Sequence, residues 1–533
     1  MNRREKGFMS GIALLTLSAA CAKLCGMLFK LPLVSIIGDG GMGYFNSAYV
    51  IYTFFFVLST SGLPVGLSIL IAESTDAADR FGYLKSGLAI FGGVGGLLSL
   101  IMMLAPKELA HLIGNPGAEA SIRVMAPSLL AVCLSGCLRG YFQGQKDMMP
   151  TAVSQVVEAA FKTVLGILLA YYGVKRGENA RTVAAMALLG VSVGSILSFF
   201  YLVWVFCRSV KKYGFTFSGA FGRHFRIGKY AGRLLSVVLP VSGASVVLSV
   251  SSVIDLSAIM NGLLRAGFSA ELANELYGNY SGSAVPLFNL PSVLVTPVAS
   301  AVIPFLAKDQ RKQPGEREAI SGVSLRLAAM ISAPCAVGLA FLAHPVLTLL
   351  FGEKTAATAR PLLQILAPAV FLVALQTVSG AVLQGRGKRK LPVASLAIGA
   401  AAKLVICFLL VPRIGIAGAP IGTFVCYLLS TCINLFFCIR KRMLVFKPLP
   451  DLILPLICAF LCGATAHGVF RVLPEGGIYT LTSIGAGAAV YCAALVLFGA
   501  FDSRMMQFLP FMKSVSFQKG KNRRIAAMGS RQE

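Results

Sequence analysis

Lys23 and Lys30 are the first residues in the chain whose placement asks for a chemical explanation. They stand seven positions apart, about two helical turns, in an apolar stretch long enough to span a bilayer, so their ammonium groups lie near one helix face. A charge at the bilayer centre costs several kcal/mol. Such a residue therefore faces a wet cavity or a partner, or its long stem carries the charge to an interface. A polar turn, Gly38-Asp39-Gly40-Gly41, follows, and the next apolar stretch carries Asn46, Tyr49 and Thr53 at helical spacing. Two helices that each turn a polar stripe inward predict a cavity for something polar and anionic.

Other polar residues inside apolar runs extend this picture. Lys162 follows Glu158 by one helical turn, the spacing of a structural ion pair. Lys403 has no acid on its own helix. Asp255 is the acid of a serine-rich run with Ser245, Ser249, Ser251 and Ser252. Three roles are open to it: pairing with a lysine across the cavity, binding a cation, or lying near a helix end. Asn289 holds a place comparable to Asn46, and both are candidates for the cavity wall. Ser249 and Ser252, on the same run as Asp255, are further candidates. With lysines inside and few balancing acids, the cavity is expected to prefer an anion.

Nothing in the chain has the pattern of an enzyme. There is no phosphate loop and no nucleophile elbow. The 13 cysteines fall almost wholly inside apolar runs, in pairs such as Cys133 and Cys137, or Cys458 and Cys462. A spacing of four suits helix packing rather than a CxxC site. The four histidines are scattered. Neither a cofactor nor a metal is expected, and the expected function is not catalytic.

The elements that position these residues follow from composition. The chain has 533 residues, 56% hydrophobic and 13% charged, with a mean hydropathy of +0.78. Soluble domains carry about 25% charged residues. The fold class is therefore an all-α polytopic membrane protein with about 14 transmembrane helices. Pro32, Pro64, Pro240, Pro291 and Pro297 are expected bends. The net charge of +27 falls in short loops between apolar runs, which excludes a nucleic-acid footprint and fits the positive-inside rule. Most Lys and Arg residues fall on the side of the N-terminus, which places both termini in the cytoplasm of a cell-membrane protein.

The chain also repeats itself. Met125-Ala126-Pro127 matches Leu366-Ala367-Pro368, and Gln143-Gly144 and Lys162 match Gln384-Gly385 and Lys403 at the same offset of 241 residues. Further on, Ala185–Gly190 matches Ala417–Gly422. Six spans separate the equivalents, so the repeats are parallel. The expected domains are an N-terminal lobe at 1–210, a basic linker at 211–231, a C-terminal lobe at 232–442, two added spans at 443–500 and a basic tail at 501–533.

The run from Lys23 to Glu73, KLCGMLFKLPLVSIIGDGGMGYFNSAYVIYTFFFVLSTSGLPVGLSILIAE, resembles the stage V sporulation protein B and MurJ-like group. These are flippases for lipid-linked saccharides within the MOP exporter superfamily. Asp255–Ser269, Leu276–Lys308 and the run LAPAVFLVALQTVSGAVLQGRGK from Leu366 resemble the same group. The resemblance implies a MATE/MurJ-like fold of two six-helix lobes plus two helices. It also implies alternating access and movement of an undecaprenyl-diphosphate-linked saccharide, either lipid II or a polysaccharide or spore-cortex precursor. Lys23 and Lys30 match the basic positions of the group's first helix. The expected partners are that anionic substrate, membrane lipids and envelope-synthesis proteins. Two other functions fit a chain of this kind: a cation-coupled multidrug exporter, which needs an intramembrane acid, and a non-transporting scaffold, which needs no cavity.

Overall fold

In hydrocarbon the backbone must satisfy its own N–H and C=O groups, and for runs of this length the helix is the solution. The computed structural model describes residues 3–212, 227–308, 316–474 and 476–499. Most of the basic linker and the whole basic tail lie outside the described residues, and so does the side chain of Lys23, whose backbone is helical.

Among the described residues the structure is helical, without strands. The first half comprises α1 (Arg3–Thr60), α2 (Leu63–Glu73), α3 (Ala77–Leu104), α4 (Pro106–Leu112), α5 (Glu119–Gly144), α6 (Met149–Lys175) and α7 (Ala180–Lys212). It continues with α8 (Ile227–Arg265), α9 (Ala270–Asn279), α10 (Val285–Lys308), α11 (Glu316–Phe341), α12 (Ala343–Phe351) and α13 (Glu353–Gly385). The last helices are α14 (Lys390–Ile414), α15 (Gly418–Arg440), α16 (Leu454–Val472) and α17 (Gly477–Leu497).

Eleven described segments are long and apolar enough to cross a membrane. Two of them, Phe29–Glu73 and Lys390–Arg440, each join two helical stretches, and the 39-residue α8 is a further candidate, so the helices are consistent with fourteen crossings. The first break falls on glycine rather than on Pro32: Gly38 takes φ 67 and ψ 179 inside α1, a conformation that costs a side chain heavily. The second falls at Gly62, in the left-handed region, with Pro64 in the first turn of α2.

The repeat is visible in side-chain contacts. Ser198 of α7 donates to the Ser154 carbonyl of α6 at 2.9 Å, and Ser430 of α15 donates to the Ser395 carbonyl of α14 at 3.0 Å. Ser154 and Ser395 are again 241 residues apart. The close crossings match too. A Cβ on Gly190 would sit 2.3 Å from the Gly166 nitrogen, and one on its counterpart Gly422 would sit 3.0 Å from the Cys407 sulfur. Cys133 packs in the same manner, 2.5 Å from where Gly95 would carry a Cβ.

By compactness the chain divides into two units. One comprises Met1–Pro286, Leu350–Ala359 and Ala400–Gly422; the other comprises Leu287–Leu349, Arg360–Gly399 and Thr423–Glu533. These differ from the lobes expected from the repeat: α8, the seventh span, groups with the first six, and so does the Lys403 half of α14. The repeat marks related sequence, whereas compactness marks where residues pack.

Candidate functional site

Most candidate residues fall in the first unit. Along the second half of α1, Phe45, Tyr49, Tyr52 and Phe56 recur at helical spacing and form an aromatic stripe. Phe45 and Tyr49 stack with centroids 6.0 Å apart, and Tyr52 and Phe56 stack at 6.2 Å. Lys162 of α6 lies against this stripe. Its ammonium donates to the Tyr49 hydroxyl at 3.3 Å, stands 4.9 Å from the Tyr49 ring centre and 5.8 Å from that of Phe29. Lys30, half-buried on α1, directly follows Phe29, the ring against which Lys162 lies. Among the described residues, neither has a carboxylate within 4 Å.

This corrects the expected ion pair between Glu158 and Lys162. Glu158 is bound instead by Arg139 of α5, at 2.8 Å, and accepts from Ser195 at 3.3 Å. The same guanidinium donates to Ser154 and to Ser198, each at 3.0 Å. The reason is donor geometry: a planar fork serves a carboxylate and two hydroxyls together, whereas an ammonium on the same helix offers one point charge. Arg139 was not among the sequence candidates, although an arginine inside the fourth apolar run was a visible signal.

In the second repeat the matching lysine is neutralised. Lys403 of α14 donates to Asp255 of α8 at 2.7 Å, and the two side chains are only 21% and 19% exposed. Cys407, one turn along, donates its S–H to the other Asp255 oxygen at 3.6 Å. Of the three roles open to Asp255, the structure places it in a pair with a lysine. Ser249, two turns before Asp255, is buried, and Ser252 is exposed.

Asn46 is not on an open wall: it is buried, and its amide donates to Ser281 at 3.0 Å. It belongs to a polar lattice in the first unit, formed around the kink of α1 and along α9. Asp39 accepts from Asn279 at 3.1 Å and from Thr355 at 3.2 Å. Asn274 donates to the Gly40 carbonyl at 2.7 Å, and Asn115 donates to Asn274 at 2.8 Å and to Ser47 at 2.9 Å. Gly43 and Gly278 let α1 and α9 touch, since a Cβ on either would overlap the facing backbone. Sequence reading noted the turn at Asp39 but not the asparagines that meet it. Asn289 is exposed and lies in the second unit.

Comparison with known proteins bears on this geometry. A sequence profile described as polysaccharide biosynthesis protein matches residues 8–310, and one described as MatE matches residues 297–409. An uncharacterized membrane protein, YabM, of Bacillus subtilis (strain 168) is 26% identical over 95% of each chain. Stage V sporulation protein B of the same organism is 24% identical, over 95% of this chain and 98% of that one. Its lipid II flippase MurJ is 25% identical over 79% of this chain and 80% of that one. Among solved structures, the lipid II flippase MurJ in its inward closed conformation has a TM-score of 0.71 at 15% identity, covering 91% of this chain and 98% of that one. An inward-facing MATE transporter of the MOP superfamily has a TM-score of 0.62 at 16% identity, over 81% of this chain and 98% of that one. The fold is thus that of the MurJ and MATE transporters, in a multi-pass membrane protein.

Proposed function

The chain belongs to the polysaccharide biosynthesis protein family, and on that footing we propose that it is a flippase carrying an undecaprenyl-diphosphate-linked saccharide across the cytoplasmic membrane by alternating access. Lys30, with Lys23 on the same helix, attracts the diphosphate. Tyr49, Ser249 and Ser252 meet the sugar, while the lipid tail stays in the bilayer. Asn46 acts from behind, in the lattice around Asp39. The sequence carries no nucleotide motif, so the membrane potential or an ion gradient would bias the cycle.

One observation carries this reading against a cation-coupled drug exporter. An exporter needs a free intramembrane acid for its coupling ion. Here Asp255 is bound to Lys403 and Glu158 to Arg139, whereas among the described residues no carboxylate stands within 4 Å of Lys30 or Lys162. The first cargo to try is lipid II, because one relative carries the name of a lipid II flippase.

The test is rescue of a strain depleted of its lipid II flippase, paired with translocation of labelled undecaprenyl-diphosphate saccharides in reconstituted vesicles. Movement of a saccharide lipid is expected. Export of a cationic dye against a proton or Na⁺ gradient, with no lipid movement, would favour the exporter. Orientation is tested separately, after removal of the native cysteines. A cysteine at Lys388 should be shielded from an impermeant thiol reagent in intact cells, and one at Glu475 should react.

A further inference from the structure

Lys162 has a role that its sequence context conceals. It stands 13 residues from each end of the 27-residue α6, so at 1.5 Å per residue its backbone is about 20 Å from either terminus, too deep for its stem to reach an interface. The acid one turn away cannot neutralise it, because Arg139 occupies Glu158. What holds Lys162 is the rim of Tyr49 and the ring of Phe29. An aromatic face attracts an ammonium but does not cancel its charge. An ammonium has three donors, and the Tyr49 oxygen accepts one. The Tyr49 O–H is in turn left to donate elsewhere. Lys30 directly follows Phe29, against whose ring the Lys162 ammonium lies, so a second cation stands close by, and in low dielectric like charges repel. A ligand with two adjacent negative groups would relieve both the repulsion and the unmet charge.

We propose that Lys162 is a phosphate-contacting residue, forming with Lys30 a two-ammonium cradle for the diphosphate of the lipid-linked cargo, with the Tyr49 hydroxyl as a third donor. This rests on the flippase reading above and adds to it the group that selects a diphosphate over a monophosphate. The aromatic stripe fixes the Lys162 ammonium before the cargo arrives, so little side-chain ordering remains for binding.

The experiment measures binding of undecaprenyl diphosphate and undecaprenyl monophosphate to the full chain in nanodiscs. The wild type should prefer the diphosphate. Lys162→Gln should lose about 10-fold to 100-fold of its affinity for the diphosphate, the loss expected for one charge-assisted contact. Lys162→Arg should keep most of it. Lys162→His gives a second route if the Gln variant does not fold: binding should be retained at pH 6 and weakened at pH 8, where the imidazole is neutral. Wild-type diphosphate binding by Lys162→Gln, or pH-independent binding by Lys162→His, would overturn the inference. The flippase reading would survive that result if Lys30→Gln still lost binding. A wild type with no affinity for undecaprenyl diphosphate would overturn both.

Discussion

Lys162 and Lys403 hold equivalent positions in the two repeats, and the protein treats their charges in opposite ways. Both sit deep in a helix that follows a glutamine-glycine turn and a basic loop. Around Lys403 the charge is cancelled by Asp255, from a helix distant in sequence, in a close pair shielded from solvent. Around Lys162 the nearest acid is taken by Arg139, and the ammonium rests on tyrosine and phenylalanine rings. A neutralised lysine is a structural tie. A lysine held on an aromatic face keeps its charge for something else. Two copies of one helical arrangement thus surround equivalent lysines with different partners, and the proposed function gives them different uses.

The largest effect should come from breaking the tie. Asp255→Leu leaves Lys403 unpaired and only about a fifth exposed, and removing one partner of a shielded pair costs up to about 3–5 kcal/mol. Folded yield and thermal unfolding in detergent would report it. Replacing both partners, as Asp255→Leu with Lys403→Met, should recover most of the loss, since apolar side chains of similar volume often replace a buried pair without penalty. A single Asp255→Leu as stable as the wild type would show that the pair holds nothing together.

A smaller loss of stability, below that range, is expected from Arg139→Leu. Glu158 is then free to take Lys162 one turn away, the pairing its spacing favours. The protein should stay folded but transport poorly, because the cation has been diverted from the cargo. Adding Glu158→Gln should restore part of the transport. Wild-type transport by Arg139→Leu would mean that Lys162 does not need its charge free.

Smallest in stability should be Lys162→Met, which loses an aromatic contact worth about 0.5–2 kcal/mol and strands no acid. Membrane levels should be near normal and transport reduced. Collapse of expression comparable to Asp255→Leu would erase the contrast between the two repeats.

How much of this was legible in the sequence depends on the distance between partners. Apolar runs and their periodicity gave the helices, because helix hydrogen bonds are local and composition sets the solvent. The repeat was legible for the same reason, and Ser154 with Ser395 shows the two copies folding alike. The Gly38-Asp39-Gly40-Gly41 stretch was readable as a polar turn, yet α1 continues through it with a kink at Gly38 alone. Glu158 was misjudged because a partner four residues away is visible in a sequence and Arg139, on another helix, is not. The pair of Asp255 and Lys403 spans 148 residues, which no local spacing encodes. Asn115, Asn274 and Asn279 have no spacing in the sequence that singles them out. Only the folded chain brings them to Asp39, Gly40 and Ser47.

The contrast between the two lysines is tested most directly by translocation of a labelled undecaprenyl-diphosphate saccharide in vesicles containing equal amounts of folded protein. Two double variants are compared: Lys30→Gln with Lys162→Gln, and Asp255→Leu with Lys403→Met. Each charge-assisted contact is worth about 1.5–3 kcal/mol, so losing both from the first repeat should lower transport at least about 100-fold. The second variant should remain within a few-fold of the wild type. Full transport by the first variant together with none by the second would contradict the reading, placing the cargo's charge on Lys403 and making Lys162 the structural lysine.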